Sequence, residues 1–392
     1  GTDNDGHTIT GFYAPHSHRI AACDDCLIGA ATDAPILSVV RAYMDEHGVS
    51  AYDENTHTGI VRHILIRTGY VTGEIQVCVV INADRIPYAD ELIKKLCEAD
   101  ITGMRYSEIK YHIASVCISV NKADTNVIMG NNYSVLYGRG YITDMIDDVK
   151  FRISPLSFYQ VNPMQTRRLY GTVLEYAALT GTETVWDLYC GIGTISLFLA
   201  RAAGRVYGVE AVSQAIEDAR ENARLNGIEN VEFYVGRAEE LLPVSFAPNA
   251  AEGGDILDAD FEGVDVLRIP HGSLSEIPDA DSGEIGLSDH NIANMPRPDV
   301  IVVDPPRKGC DRICLDTILA EAPSRIVYVS CDPATLARDL KYLCAGGEYH
   351  IDRYSCTDMF VHSVHVESCV LLERVSNRKS DAKIRIDVNL ED

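Results

Sequence analysis

The sequence predicts an α/β protein: a mainly parallel sheet with helices on both faces, preceded by an α+β region. Three observations point there. From Phe151 onward, strand-like apolar runs alternate with helical segments. One run, TVWDLYCG, passes through a glycine turn straight into the helical segment TISLFLARAA. The next, RVYGVEA, reaches an acid, Glu210, 19 residues beyond Gly191.

The first region, residues 1–150, reads as α+β. Residues Gly59 to Asn82 have the form of a hairpin, and Val77, Val79 and Ile81 alternate with Cys78 and Val80 as in a strand covered on both faces. IPYADELIKKL has helical spacing, with Ile86, Leu92 and Leu96 as its apolar positions. SVCISVN and NVIMG suggest further strands, and YSVLYGRGYITDMIDDVKFRIS a β-rich connection.

The second region, residues 151–392, begins with a helix in NPMQTRRLYGTVLEYAAL. Asn162 is suited to cap it and Pro163 to occupy its first position. The βαβ series continues through SQAIEDARENARLNG, VEFYVG, DVIVVDPP, RIVYVSCDP and TLARDLKYL. HSVHVESCVLLERV supplies a late strand, expected to run antiparallel. Residues 243–298 interrupt the series; their eleven Asp or Glu against two Arg give −9 of the chain's −24. Weak periodicity and Gly, Asp, Ser and Pro richness suggest an acidic insertion off the catalytic face, with a small hairpin subdomain as the competing reading.

At 392 residues the chain suits two or three domains. No apolar run approaches the ~18 residues that span a bilayer, so no membrane partner is expected. No signal peptide is visible, and the start at Gly1 reads as that of a fragment. Twelve cysteines without a disulfide-like framework suit a reduced, cytoplasmic protein. The net charge of −24 argues against a general polyanion binder, so any nucleic-acid contact needs locally focused basic residues.

Gly191 and Gly193 permit positive φ and close backbone approach to a ligand. A lone G-x-G is weak on its own, but Glu210 at the end of the following strand can accept hydrogen bonds from both ribose hydroxyls of an adenosine ligand. NAD is the rival. The turn has no third glycine at the dinucleotide spacing, and Thr194 and bulky Ile195 leave little space for a pyrophosphate. S-adenosylmethionine, which has none, fits better. The plain alternative is that Glu210 only initiates a helix. Asp304, in DVIVVDPPRKG, ends another apolar strand, where open α/β sheets bind ligands. Arg307 after the Pro-Pro pair suits phosphate contact, or is an unpaired surface charge.

Cys331 ends the strand RIVYVS and precedes the helix ATLARDLKYL, whose N-terminus is expected to stabilise a thiolate. The alternative is a buried structural thiol. Carbon 5 of uracil is a poor nucleophile. Thiolate addition at carbon 6 makes an enolate able to take a methyl group, after which a base must remove the carbon-5 proton. Glu367 is the candidate base; from local sequence it could equally be a solvated strand-end acid. His362 and His365 flank it and read as packing or hydrogen-bonding residues.

Together, FRISPLSFYQVNP, DLYCGIGTISL, VYGVEAV, DVIVVDPPRKGCD, YVSCDPATLARDL and HVESCVLLERV resemble the RNA (uracil-5-)-methyltransferase family across residues 11–375, the acidic segment excepted. The resemblance implies a Rossmann-like class I methyltransferase domain behind a central RNA-binding domain. It implies Gln160, Tyr189, Glu210 and Asp304 as S-adenosylmethionine contacts, Cys331 as nucleophile and Glu367 as base. Arg62, Arg67 and Arg139 become candidate phosphate contacts or plain surface charges. The implied partner is RNA, 23S ribosomal RNA ahead of transfer RNA, with the chain acting as a monomer; a catalytically inactive ribosome-assembly factor is the non-enzymatic alternative. Cys26, in CDDCLIG, resembles one ligand of a 4Fe–4S cluster held by many ribosomal RNA members. The other three ligands and a small β-barrel domain are expected upstream, and Cys23 with Cys26 does not make a zinc site. Val361 stands where related sequences often have proline.

Overall fold

The computed structural model describes residues 1–3, 5–15, 17–101, 109–125, 127–238, 295–361, 363–375 and 385–386. The expected insertion at 243–298 lies outside these residues except for 295–298.

A small ladder of β1 (Gly11–Tyr13) and β2 (Ile20–Ala22) precedes helix α1 (Asp33–His47). A four-stranded sheet follows, ordered β3 (Val61–Thr68), β4 (Glu74–Ile81), β5 (His112–Val120) and β6 (Tyr133–Gly138). Strands β3 and β4 form the expected antiparallel hairpin; β4 reaches parallel β5 through helix α2 (Ala89–Glu98). Ile75, Val77, Val79 and Ile81 bury one face of β4 against Ile36 and Val40 of α1 and Leu92 and Leu96 of α2. The other face is buried too, because Gln76, Cys78 and Val80 are fully covered.

No strand forms at residues 127–130, contrary to the expectation for NVIMG. Their backbone groups are claimed locally: Asn121 Nδ2 donates to the Val127 and Ile128 carbonyls at 2.6 and 3.1 Å, and Gly130 N–H donates to Ser119 Oγ at 3.0 Å. Pairing with β5 falls instead to β6.

A hairpin of β7 (Ile142–Ile146) and β8 (Val149–Ile153) leads into helix α3 (Pro163–Ala177). Asn162 caps α3, accepting from Gln165 N–H at 3.2 Å, with Pro163 at its first turn. Ile142, Ile146, Val149, Phe151 and Ile153 share one core with α3 and the large sheet, so this hairpin packs with the C-terminal half.

The large sheet contains β9 (Thr184–Leu188), β10 (Arg205–Glu210), β11 (Val231–Val235), β12 (Val300–Val303), β13 (Arg325–Ser330), β14 (Tyr349–Thr357), β15 (Glu367–Arg374) and the two-residue β16 (Arg385–Ile386). Its order is β11-β10-β9-β12-β13-β15-β14-β16. The five strands from β11 to β13 are mutually parallel, and β15 runs antiparallel to both neighbours. Helices α4 (Thr194–Ala200), α5 (Ser213–Leu225), α6 (Arg312–Glu321) and α7 (Pro333–Cys344) complete it. Strand β12 is wholly buried because its alternate residues enter different cores: Val300 and Val302 join α3 and α4, whereas Ile301 and Val303 join α6 and α7. A parallel strand needs this two-sided cover. Ahead of β12, Trp186 Nε1 donates to the Pro296 carbonyl at 3.1 Å, anchoring the end of the acidic segment to β9.

Candidate active site

The carboxyl ends of β9, β10, β12 and β13 converge on one edge of the sheet. After β9 the chain turns through Tyr189, Gly191 and Gly193 at φ 68°, 56° and 80°. At Gly193 a Cβ would lie 2.8 Å from the Phe233 ring, so the turn needs glycine there for room as well as for φ. A Cβ on Gly191 would meet no protein atom within 4 Å. Gly191 lines a cleft together with Phe158, Tyr159, Gln160, Tyr189 and Asp304. Three of the four residues expected at the cofactor, Gln160, Tyr189 and Asp304, therefore share this cleft.

Glu210, the fourth, stands beside it. Its Oε2 accepts from Gly191 N–H at 3.2 Å and its Oε1 from Val212 N–H at 2.9 Å. These bonds fix the carboxylate at the turn. Gln160 is buried, yet among the described residues its Oε1 has no hydrogen-bond partner. An unpaired buried acceptor is costly, which fits a position completed by a ligand donor. This orphaned oxygen, the fixed carboxylate and the open side of Gly191 suit S-adenosylmethionine, a ligand with hydroxyl and ammonium donors and no pyrophosphate.

Asp187 was not singled out by sequence, although an acid inside the apolar strand TVWDL was the available signal. Fully buried behind the glycine turn, it accepts from Ser196 Oγ and so ties β9 to α4. Burial pushes its carboxyl up to about 7.

The other half of the site comes from strand register. Ser330 on β13 pairs with Ser368 on β15. Cys331 and Glu367 are the next residues along these antiparallel strands and so lie across from each other, next to Asp304. Glu367 is buried. Burial, reinforced by the Asp304 charge, pushes its carboxyl up to about 7, while the Arg307 guanidinium opposes the shift. Burial pushes Asp304 up to about 6.

Cys331 is half-buried. Burial, and then the Glu367 charge, raise its thiol above the ordinary range; Arg307 pulls the other way by charge and by a hydrogen bond. The expectation that the α7 N-terminus stabilises the thiolate meets a competitor for that helix end. Asp332 caps that helix, its Oδ1 accepting from Ala334 and Thr335 N–H at 3.0 and 2.9 Å. A carboxylate thus takes the donors and the positive end of the dipole meant for the sulfur. The cation serving the sulfur is Arg307, which sequence had assigned to phosphate or to open surface. Arg307 Nη2 also lies 3.5 Å from His365 Nε2. His362 lies outside the described residues.

The basic residues of the first region are otherwise engaged. The Arg62 side chain is buried, donates to the carbonyls of Asn121 and Ala123 at 3.0 and 2.8 Å, and stacks on Tyr52. Arg67 donates to the Pro155 and Ser157 carbonyls, bracing the small sheet against the turn leading to Gln160. Neither is a phosphate contact in this arrangement. Arg139 pairs with Glu74 at 2.6 Å and is half-exposed.

Cys23 and Cys26 are free thiols. Among the described residues, the group whose possible metal-ligand atoms lie within 4.8 Å of one another is His350, Asp352 and Glu373, so Cys26 belongs to no such cluster. Two cysteines do not fit a 4Fe–4S cluster, and no step depends on one.

A family model described as tRNA (Uracil-5-)-methyltransferase matches residues 280–375, and a methyltransferase-domain model matches residues 179–268. A protein of Halalkalibacterium halodurans described as an uncharacterized RNA methyltransferase is 43% identical over 371 residues, covering 95% of this chain and 69% of its own length. One from Caldanaerobacter subterraneus, described likewise, is 40% identical over 367 residues, covering 94% and 69%. The solved structure of the Pyrococcus abyssi tRNA (uracil-54, C5)-methyltransferase in complex with S-adenosyl-L-homocysteine has a TM-score of 0.64 at 25% identity, covering 91% of this chain and 70% of that one.

Proposed function

The chain belongs to the RNA (uracil-5-)-methyltransferase family, whose class I fold uses S-adenosylmethionine, and on that premise we propose that it methylates carbon 5 of uridine in 23S ribosomal RNA through a covalent Cys331 adduct. The observation that carries the reading is the facing of Cys331 and Glu367 beside Asp304, next to the cleft that holds Gln160 and Tyr189.

S-adenosylmethionine supplies an electrophilic methyl group when bound in that cleft. Gln160, Tyr189, Glu210 and Asp304 would hold and orient it. The Cys331 thiolate adds to carbon 6 of the uracil ring, pushing the ring electrons towards the carbon-5/oxygen-4 enolate. Carbon 5 takes the methyl group as the methyl–sulfonium bond breaks, which leaves S-adenosylhomocysteine. Glu367 then accepts the carbon-5 proton, the enolate re-forms, and the carbon–sulfur bond breaks to release thiolate and methylated RNA. A carboxylate held near neutrality is a stronger base than one at its ordinary value and is still largely ionised at a working pH above 7.

Ribosomal RNA is preferred because the Cys23–Cys26 neighbourhood resembles that of ribosomal RNA members. A transfer RNA substrate is the second reading, favoured by the likeness to the Pyrococcus abyssi enzyme. Incubating the protein and S-adenosylmethionine with unmodified 23S RNA and, separately, unmodified transfer RNA, then quantifying nucleosides by mass spectrometry, separates them. 5-Methyluridine in 23S RNA is expected. Its appearance in transfer RNA alone would move the substrate assignment, and a methylated cytidine or adenosine would overturn the reaction.

A further inference from the structure

The proposed reaction leaves His365 without a task, although it touches Arg307 at the rim of the catalytic pair. Arg307 follows the Pro-Pro turn after β12; its Nη2 is 3.5 Å from His365 Nε2, and its guanidinium is close enough to the Cys331 sulfur to favour the thiolate. An arginine is always charged and only donates, so His365 must present an unprotonated Nε2 to accept from it. The imidazole is positioned for this. Its ring stands edge-on to Phe360, centroids 6.2 Å apart at 78°, and its backbone N–H donates to Ser363 Oγ at 3.2 Å. Ser363 in turn bonds the Phe360 carbonyl through both N–H and Oγ, at 3.0 and 2.7 Å. The loop is anchored below by Asn162, whose Nδ2 donates to the Met359 carbonyl at 3.3 Å. The histidine therefore rests on a braced loop, whereas the arginine side chain it touches is exposed.

We propose that His365 is a positioning residue: by accepting a hydrogen bond from Arg307 it holds that guanidinium against the Cys331 sulfur and so sets the reactivity of the nucleophile. This rests on the assignment of Cys331 above. The need is physical. The groups facing the sulfur include Glu367 from β15 and Asp304 from the end of β12, both acids that oppose a thiolate, with the Asp332 carboxylate at the adjoining helix cap. Arg307 is the cation among them. A free arginine side chain loses several rotamers to stay at one sulfur, and a fixed acceptor on its far side reduces that cost.

The test reads the thiol directly, without RNA. The intact protein is treated with iodoacetamide across pH 6–10, and carboxamidomethylation of the Cys331 peptide is followed by mass spectrometry, which separates it from the other eleven cysteines. His365→Ala is expected to slow Cys331 alkylation about tenfold at pH 7.5 and to move its pH profile up by about one unit. Arg307→Ala should do the same, and the double variant should lose no more than Arg307→Ala alone, because both changes remove one interaction. His365→Gln, which keeps an acceptor, should recover most of the rate; S-adenosylmethionine affinity equal to the parent's verifies that each variant is folded. An unchanged profile for His365→Ala, or losses that multiply in the double variant, would overturn the proposal. Failure of the reaction itself has a different signature: parent protein that forms no 5-methyluridine in any RNA, whatever its alkylation profile.

Discussion

At the scale of single residues, the site is a balance of buried acids against one guanidinium. Glu367 pushed up to about 7 must lose its proton before it can accept another, and Cys331 with its raised thiol must ionise before it can add to the ring. Both requirements point the same way. Release of methylated RNA, which needs both ionisations, should therefore rise by up to about a hundredfold per pH unit below about pH 7, of which Cys331 alone gives about tenfold; a slope no steeper than about tenfold per unit between pH 5.5 and 7 would count against Glu367 as base. Gln160 carries a separate prediction. If a bound ligand completes its orphaned Oε1, Gln160→Ala should weaken S-adenosylmethionine binding about tenfold, near 1.4 kcal/mol, without unfolding the protein. Calorimetric titration reads this, and an unchanged Kd would remove Gln160 from the cofactor site. Of the site residues, Cys331, Asp304 and Glu210 were legible because each is a chemically capable side chain at the end of an apolar strand. Arg307 was harder: its partners, Cys331 and His365, are distant in sequence and meet only in the fold.

Elements place these side chains, and one of them does two jobs. Asn162 caps α3 through its Oδ1 and reaches the Met359 carbonyl through its Nδ2, so the helix cap also fastens the loop before Glu367. Asn162→Ala should cost about 1 kcal/mol of stability for the cap and in addition lower the rate of the Glu367-dependent step. Denaturant unfolding with a multiple-turnover assay of released methylated RNA checks both; lost stability with unaltered turnover would confine Asn162 to capping. The elements read from sequence were those with strong periodicity or punctuation: the Asn162–Pro163 start of α3, the β3–β4 hairpin, and the βαβ series. Those passed over have physical reasons. Strand β14 was missed because Tyr349 is its fully buried residue and the rest of YHIDRYSCT is polar or half-covered near the sheet edge. Helix α1 does carry a helical pattern, Ile36, Val40, Tyr43 and Met44, but no cap side chain bonds at its Thr32 start to announce it. At NVIMG the apolar residues were real, but Asn121 satisfied the backbone groups a strand would have offered to a neighbour. Likewise the facing of Cys331 and Glu367 depends on the antiparallel register of β15, which neither strand's sequence encodes alone.

For the molecule as a whole, two populations of acids shape stability against pH. Asp187 and Glu367 are raised to about 7 and Asp304 to about 6, so the folded state binds more protons than the unfolded one from about pH 4 to 7. Stability from these groups is full at the acid side of that window and declines as pH rises through it. Glu183 is lowered to about 2 by hydrogen bonds from Thr180, so its contribution is lost as pH falls below its ordinary value of 4.5. The charge of −24 adds repulsion as the carboxyls ionise. The melting temperature should therefore peak near pH 5 and fall towards pH 7, and Glu367→Gln, which keeps the neutral shape, should flatten that fall. A melting temperature that climbs steadily to pH 7 in the parent protein would contradict the raised carboxyls. The large sheet gathers the cofactor cleft and the catalytic pair at one edge, and the β7–β8 hairpin shares its core.

The covalent pathway is tested most directly by trapping it. Glu367→Gln protein incubated with S-adenosylmethionine and substrate RNA should accumulate a protein–RNA adduct, visible as a slow band on a denaturing gel, because methylated uracil cannot shed its proton and release the sulfur. Adding Cys331→Ala to that variant should abolish the band while S-adenosylmethionine still binds. A band that persists without the Cys331 sulfur, or no band from Glu367→Gln with RNA that the parent protein methylates, would contradict the mechanism.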